Sequence, residues 1–329
     1  MQHMADVIAD AYALGSGPWT VEPVTRGALG QIWKLSGNGS SWAVKELLFG
    51  CDEAQVRRES ALRDAAEELG IASPRLLPNR AGTHVSRLAP TPDGSDGSYV
   101  KLYDWVDGTR ADASDPEILS WCGRTLALLH TAGAGTSEAL DPWYEQCPEA
   151  ADWARLHEGV RRAGLPWSDA LGRFIATSAT DLAPHVTPSG TGDRVTSHLD
   201  VQPQNVLVGP TGPVLLDWDN AGPIPAGREL ARAVYIWSGG NHFDATAARR
   251  VLRAYREAGG GPVVKGLDSF SMLFATALNY IRVQTESAID PTLTPAQRDF
   301  ASHQAVTSLH TVPDLTAVSR LAETLDAEY

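Results

Sequence analysis

Asp200 is the residue around which the chemistry of this chain is expected to turn. It lies in Ser197-His198-Leu199-Asp200-Val201-Gln202-Pro203-Gln204-Asn205-Val206-Leu207, and Leu215-Leu216-Asp217-Trp218-Asp219 follows. The pattern His-x-Asp-x-x-x-x-Asn sets a carboxylate and an amide five residues apart, in a loop between two strand-like runs. Twelve residues after Asn205 a second carboxylate, Asp217, follows an apolar strand. A carboxylate and an amide that converge from facing strands supply the oxygen ligands a hard cation such as Mg2+ takes. A separate carboxylate at the start of the loop can accept a proton from an attacking hydroxyl or orient it. Metal-held phosphates and a positioned nucleophile are the inventory of phosphoryl transfer, in which the protein does little covalent work.

The elements that must position these groups can be read from periodicity and turn residues. A short helix at 5–14 precedes strand-like pieces at 21–27, 31–35 and 41–45. A helix at 53–69 follows, with Val56, Leu62, Ala66 and Leu69 at near-helical spacing and Gly70 where a C-cap glycine belongs. Further strands are expected at 75–77, 83–87 and 99–106, with a Pro/Gly/Asp/Ser turn at 91–98. From 107 the texture turns helical, with helices at 116–131, 150–164 and 167–183 and more from 229 to 329. Short strands at 194–197, 205–208 and 213–216 surround the motif. The expected fold is α+β. A small antiparallel sheet lobe with one main helix spans residues 1–106, and a large, mainly helical lobe spans 107–329.

The chain has 329 residues, 43% of them hydrophobic and 20% charged, as in ordinary globular proteins. No apolar run reaches the roughly 18 residues a membrane span needs. Met1-Gln2-His3-Met4-Ala5-Asp6 lacks a signal peptide's basic start and apolar middle. A cytoplasmic protein, monomeric or weakly dimeric, is expected. Cys51, Cys122 and Cys147 are too scattered for a metal pattern or a disulfide framework. The net charge of -13 argues against a nucleic-acid partner. Residues 107–227 hold 16 carboxylates against 7 Lys and Arg, so most of the excess lies there. Such a field concentrates cations, and it is also what a well-solvated acidic surface looks like. Only four lysines occur, Lys34, Lys45, Lys101 and Lys265.

The segment 197–219 resembles the catalytic region of the kinase superfamily, specifically the aminoglycoside phosphotransferase family of small-molecule kinases. The resemblance implies the two-lobed protein-kinase-like fold. It makes Asp200 the catalytic aspartate, with His198 shaping its loop, and Asn205, Asp217 and Asp219 the metal site. Trp42-Ala43-Val44-Lys45 matches the family strand that carries a phosphate-binding lysine. Glu59, on the next helix, is its expected ion-pair partner, although Glu53, Glu67 and Glu68 share that helix. Gly27-Ala28-Leu29-Gly30 stands where a phosphate-covering turn is expected, and a bare Gly-x-x-Gly is also an ordinary turn. The stretch 99–108 matches the family hinge, which assigns the backbone of Asp104, Trp105 and Val106 to the adenine edge. The implied cofactors are ATP, with GTP left open, and Mg2+. Leu126-Ala127-Leu128-Leu129-His130 matches a family helix end, where His130 is expected to pack. Glu229, in Gly227-Arg228-Glu229-Leu230-Ala231, is expected to brace the catalytic loop in place of the usual aspartate.

The acceptor is expected to be a small hydroxyl compound. Gln202 stands where protein kinases carry a lysine, and Asp219 is followed almost at once by the 227–231 helix start, leaving no activation segment. A cationic acceptor, with aminoglycosides the leading example, fits the acidic residues Asp112, Asp115, Glu117, Asp141, Glu145, Glu149 and Asp152 and the terminal Asp326-Ala327-Glu328-Tyr329. Trp143, Tyr144, Trp153, Trp167 and Trp237 could wall a sugar or an ammonium group, or pack in the core. A metabolic kinase of a sugar, amino alcohol or choline-like compound is the alternative enzyme. A kinase-like nucleotide-binding module without transfer is the alternative of another class.

Overall fold

The computed structural model describes residues 4–27, 30–89, 97–190, 192–261 and 263–327. Ala28, Leu29, most of the 91–98 turn, Glu328 and Tyr329 lie outside the described residues, as do Met1, Gln2 and His3 at the start of the chain. The elements run α1 (Ala5–Ala11), β1 (Thr20–Arg26), β2 (Gly30–Gly37), β3 (Ser40–Leu47), α2 (Glu53–Glu68), β4 (Leu76–Leu77), β5 (Ser86–Arg87), β6 (Tyr99–Asp104) and β7 (Thr109–Arg110). They continue α3 (Pro116–Ala132), α4 (Ala150–Arg162), α5 (Ser168–Phe174), α6 (Thr180–Leu182), β8 (Arg194–Ser197), β9 (Val206–Gly209), β10 (Gly212–Leu215) and β11 (Gly222–Pro225). The last are α7 (Ala226–Trp237), α8 (Ala245–Glu257), α9 (Ser271–Ile289), α10 (Pro295–Thr311) and α11 (Leu315–Asp326).

Two compact units emerge. The first joins Met1–Ala111 to Gln204–Ala221, and the second joins Asp112–Pro203 to Gly222–Tyr329. The hairpin after Asn205 thus packs with the N-terminal unit, although it lies far beyond the boundary expected at 106, and the first stretch of that unit runs on to Ala111. Its reason is local: β9 pairs with β7 on one side and β10 on the other, and the Leu215 N–H donates to the Ala72 carbonyl at 2.9 Å.

In the first unit an antiparallel sheet runs in the order β1-β2-β3-β6-β4, with β5 also on β6. Alternation along β6 sends Val100 and Leu102 into a core shared with Leu35, Val44, Ile8 and Tyr12. Lys101 and Tyr103 therefore emerge on the opposite face. The Asp52 carboxylate caps α2 by accepting from the Ala54 N–H at 2.8 Å. Helical spacing places Val56, Glu59, Ser60, Arg63 and Ala66 on the buried side of α2.

The second unit is mainly helical. Asp115 caps α3, Pro116 occupies its first turn, and Ile118, Leu119, Cys122, Leu126 and Leu129 form its buried stripe. Gly123 lets α3 lie against the backbone of α8, where a Cβ would strike the Val251 carbonyl. β8 pairs with β11, a strand disguised in the sequence by Pro223 and Pro225, which a two-stranded edge tolerates. The helix expected at 167–183 is α5 and α6 joined by a π-turn at Ile175–Ala179. The first unit is thus a sheet lobe with one main helix, and the second is a mainly helical lobe. Among the described residues, no helix is long and apolar enough to cross a membrane.

Candidate active site

The first unit gathers five ionic groups. Lys45 on β3 and Lys101 on β6 are direct cross-strand partners. The Lys45 ammonium donates to Asp217 Oδ1 at 2.5 Å and lies 2.7 Å from Asp219 Oδ2. Lys101 Nζ donates to Asp219 Oδ1 at 2.6 Å and to Glu59 Oε2 at 2.7 Å. The Tyr103 hydroxyl donates to the other Glu59 oxygen at 2.6 Å. Glu59 is buried, but its partner is Lys101 and not the expected Lys45. The reason is register: β6 places Lys101 beside α2, while the turn after β10 delivers two aspartates to Lys45. Burial alone would lower the Lys45 ammonium, yet Asp219 and Asp217 outweigh it and hold it well above the usual lysine value. Burial would raise Asp219, yet Lys45 and Lys101 hold it well below the usual carboxylate range. For Glu59 burial wins over Lys101, and its carboxyl is raised.

The turn is shaped to present its carboxylates. Asp217 adopts a left-handed backbone, with φ 63° and ψ 65°, that a non-glycine residue takes at a cost. Gln55 of α2 pins the far side, its amide donating to the carbonyls of Asp219 at 2.7 Å and Ala221 at 2.8 Å. Asn205 is buried, and its carbonyl accepts the Leu216 N–H at 2.8 Å, which ties it to the residue before Asp217. Among the described residues no group of three or more His, Cys, Asp or Glu is arranged to hold a metal. The donors here suit Mg2+ all the same, because that ion takes one or two carboxylates and completes its shell with phosphate oxygens and water. The Lys45 ammonium, touching both Asp217 and Asp219, already stands where these carboxylates hold a cation.

Gly30, which opens β2, allows the Lys45 side chain its path. A Cβ there would meet the Glu46 carbonyl at 2.9 Å and Lys45 Cε at 3.2 Å. The Gly27 N–H donates to the Gly30 carbonyl at 2.8 Å, closing the turn. At the end of β6 the Asp104 N–H donates to the Arg75 carbonyl at 3.1 Å. The Trp105 indole donates to Asp107 at 2.7 Å and lies under Lys34, and Val106 is half-buried.

The second unit holds His198 and Asp200. His198 is fully buried and its Nδ1 accepts the Asp200 N–H at 3.2 Å, which folds the loop back on itself. The Gln202 amide reaches both Asp200 oxygens at 2.9 Å. Leu199 is left-handed, with φ 63°, and its N–H donates to Glu229 Oε1 at 2.7 Å. Glu229 therefore braces the loop in spite of its extra methylene. Its second oxygen meets His130 Nε2 at 2.9 Å, and His130 Nδ1 meets the Tyr255 hydroxyl at 2.8 Å.

Sequence reasoning missed Lys101, Tyr103, Gln55 and Arg232 as members of these clusters. Several of the acidic and aromatic candidates for the acceptor are engaged in local structure. Asp115 and Asp141 cap helical turns, and Glu149 and Asp152 form the capping box of α4. Trp153, Trp167, Trp237 and Tyr144 are buried, Trp153 edge-on to Phe174 and Trp237 donating to the Val201 carbonyl. Trp143 is half-buried against the cluster of Tyr144, Leu199 and Met272. The Asp326 carboxylate accepts the Gly266 N–H at 3.3 Å. Cys51, Cys122 and Cys147 are free thiols.

A strand lysine bound by an Asp-x-Asp turn, and a His-x-Asp loop braced from a following helix, define a kinase-like small-molecule phosphotransferase. The chain belongs to the phosphotransferase enzyme family, whose model matches residues 20–267. No curated protein matches it by sequence. Among solved structures, a spectinomycin phosphotransferase in complex with ADP and spectinomycin is 15% identical, with TM-score 0.66 over 99% of this chain and 98% of that one. An amicoumacin kinase in complex with AMP-PNP, Ca2+ and its ligand is 14% identical, with TM-score 0.57 over 95% and 94%. A microcompartment-associated aminopropanol kinase is 15% identical, with TM-score 0.55 over 92% and 95%.

Proposed function

We propose that this kinase moves the γ-phosphoryl group of magnesium-bound ATP, or of GTP in its place, to a hydroxyl of an amine-bearing small molecule. It acts in the cytoplasm as a monomer or weak dimer, with residues 1–106 binding nucleotide and 107–329 supplying catalysis and the acceptor site. The observation that carries the reading is Lys45 between Asp217 and Asp219, a cation site of oxygen donors beside a phosphate-seeking ammonium. Asn205, Asp217 and Asp219 would hold Mg2+, which when bound offsets the charge of the phosphates. Lys45 binds phosphate oxygens, and Gly27 and Gly30 present the turn that covers them. The backbone of Asp104, Trp105 and Val106 takes the adenine edge. Asp200 orients the acceptor hydroxyl and receives its proton, and His198 holds the Asp200 loop in shape. Glu59 acts at one remove, by positioning.

An amine on the acceptor is favoured by the net charge of -13 and by fold neighbours named for spectinomycin, amicoumacin and aminopropanol. The carboxylates tied into helix starts would act through their summed field and not as individual ligands. The test is a panel of amine-bearing and neutral hydroxyl compounds with MgATP, read by mass for a phosphate adduct. Transfer to amine-bearing compounds with kcat/KM falling as salt rises is the expected result. A neutral sugar phosphorylated faster than any amine, without salt dependence, would make this a metabolic sugar kinase.

A further inference from the structure

We infer that Lys101 is a second working cation of the nucleotide cluster, filling the place at Glu59 and so committing Lys45 to Asp217 and Asp219. The inference rests on reading that cluster as the nucleotide and metal site. Lys45 and Lys101 stand directly opposite each other in the β3–β6 register, where like charges repel. Three carboxylates interleave with them to remove that cost. The order is Tyr103, Glu59, Lys101, Asp219, Lys45, Asp217, and each step spans 2.5 to 2.7 Å. The side chains of Lys101 and Glu59 are 2% and 1% exposed, a depth at which charges persist only when paired.

Both Glu59 oxygens are taken, one by Lys101 and one by Tyr103, so Glu59 makes no demand on Lys45. The line from α2 to the nucleotide site then runs through Lys101 to Asp219 Oδ1, while Asp219 Oδ2 faces Lys45. Lys101 touches neither phosphate nor acceptor on this reading. It is a positioning residue, fixing the rotamer of Asp219 and thereby the cation site that Asp219 and Asp217 form. Without it, Glu59 and Asp219 would compete for the one ammonium left, and Lys45 would be drawn off the aspartates.

The test is calorimetric binding of ADP to the full chain, with and without Mg2+, alongside steady-state kinetics. Binding by the wild-type chain is measured first, because its absence would count against the nucleotide site itself and not against the division between the lysines. Lys101→Met should weaken Mg·ADP about tenfold or more, and Glu59→Gln should add little in that background, as directly coupled groups behave. Glu59→Gln and Lys45→Met should instead add nearly independently. ADP affinity without Mg2+ should change by no more than about twofold in Lys101→Met, whereas a general structural loss would weaken it equally under both conditions. Lys101→Arg should recover part of the Mg·ADP affinity. Should Lys101→Met fail to fold, the Glu59→Gln and Lys45→Met cycle decides alone: additivity supports the inference. Strong coupling between Glu59 and Lys45, or Mg·ADP binding by Lys101→Met at wild-type strength, would overturn it.

Discussion

The guanidinium of Arg232 lies 3.0 Å from Oδ1 of Asp200. Its other terminal nitrogen donates to the Leu199 carbonyl at 3.1 Å, so one side chain spans two consecutive residues of the His198–Asp200 loop. Leu199 is held left-handed from both sides by α7, through Glu229 on its N–H and Arg232 on its carbonyl. That strained residue sets the direction in which Asp200 leaves the backbone. Removing the clamp as Arg232→Ala should lower kcat about 10²-fold, the usual cost of a misplaced catalytic group, with a much smaller change in acceptor KM. Arg232→Lys should restore part of the rate. A kcat within about threefold of wild type in steady-state assays would show that Asp200 is aimed without Arg232.

Asp200 and Asp217 should separate by what each loses. Asp200→Ala is expected to abolish transfer while Mg·ADP binding stays near wild type. Asp217→Ala is expected to lose both transfer and the Mg-dependent part of nucleotide affinity. Product formation and equilibrium binding, measured on the same preparations, check the pair. Substantial transfer by either variant would contradict the roles given to the 197–219 segment.

Glu229 gives a pH dependence. Burial would raise its carboxyl, but His130, Ser197 and the Leu199 N–H outweigh burial and hold it below its ordinary value. A carboxyl lowered in the folded state stabilises above its unfolded value, about 4.3, and that contribution is lost as pH falls through the lower folded value. Glu229→Gln should therefore melt below wild type at neutral pH, and the gap should close in acid. Melting temperatures taken from pH about 7 to 3 test this, and a gap that stays constant would contradict it.

Gly30→Ala should act on nucleotide more than on acceptor. Its Cβ would meet the Glu46 carbonyl at 2.9 Å and crowd Lys45 Cε at 3.2 Å, so backbone or lysine must shift. Overpacking of this kind costs about 1–3 kcal/mol. The ATP KM should rise while the acceptor KM holds, and unchanged ATP kinetics would show that the strand end yields freely.

What the sequence revealed was what lies close together along the chain. The strands and turns that carry Asn205 and Asp217 were readable because apolar runs and turn residues mark a local hairpin. Glu59 was readable as a buried helix residue, since Val56, Arg63 and Ala66 share its face. Its partner was not, because only the pairing of β3 with β6 sets Lys101 opposite Lys45. Alternation did carry a trace: Val100 and Leu102 point to the core, which leaves Lys101 and Tyr103 on the other face. β11 was hidden by Pro223 and Pro225, which usually argue against a strand. A tally of carboxylates could not tell a helix cap such as Asp115 from a ligand for an amine, because both are acidic residues in polar stretches.

The first compact unit is assembled from two separate stretches of chain, Met1–Ala111 and Gln204–Ala221. Its inheritance is therefore not modular in the simple sense. A gene fragment covering the first stretch alone encodes two buried lysines and Glu59 but neither Asp217 nor Asp219, leaving two ammonium groups against one carboxylate where the intact cluster sets two against three. Chimaeras that exchange the first unit between relatives must graft both stretches at once, through three junctions instead of one. A single crossover between Ala111 and Gln204 would take the two lysines and Glu59 from one parent and both aspartates from the other.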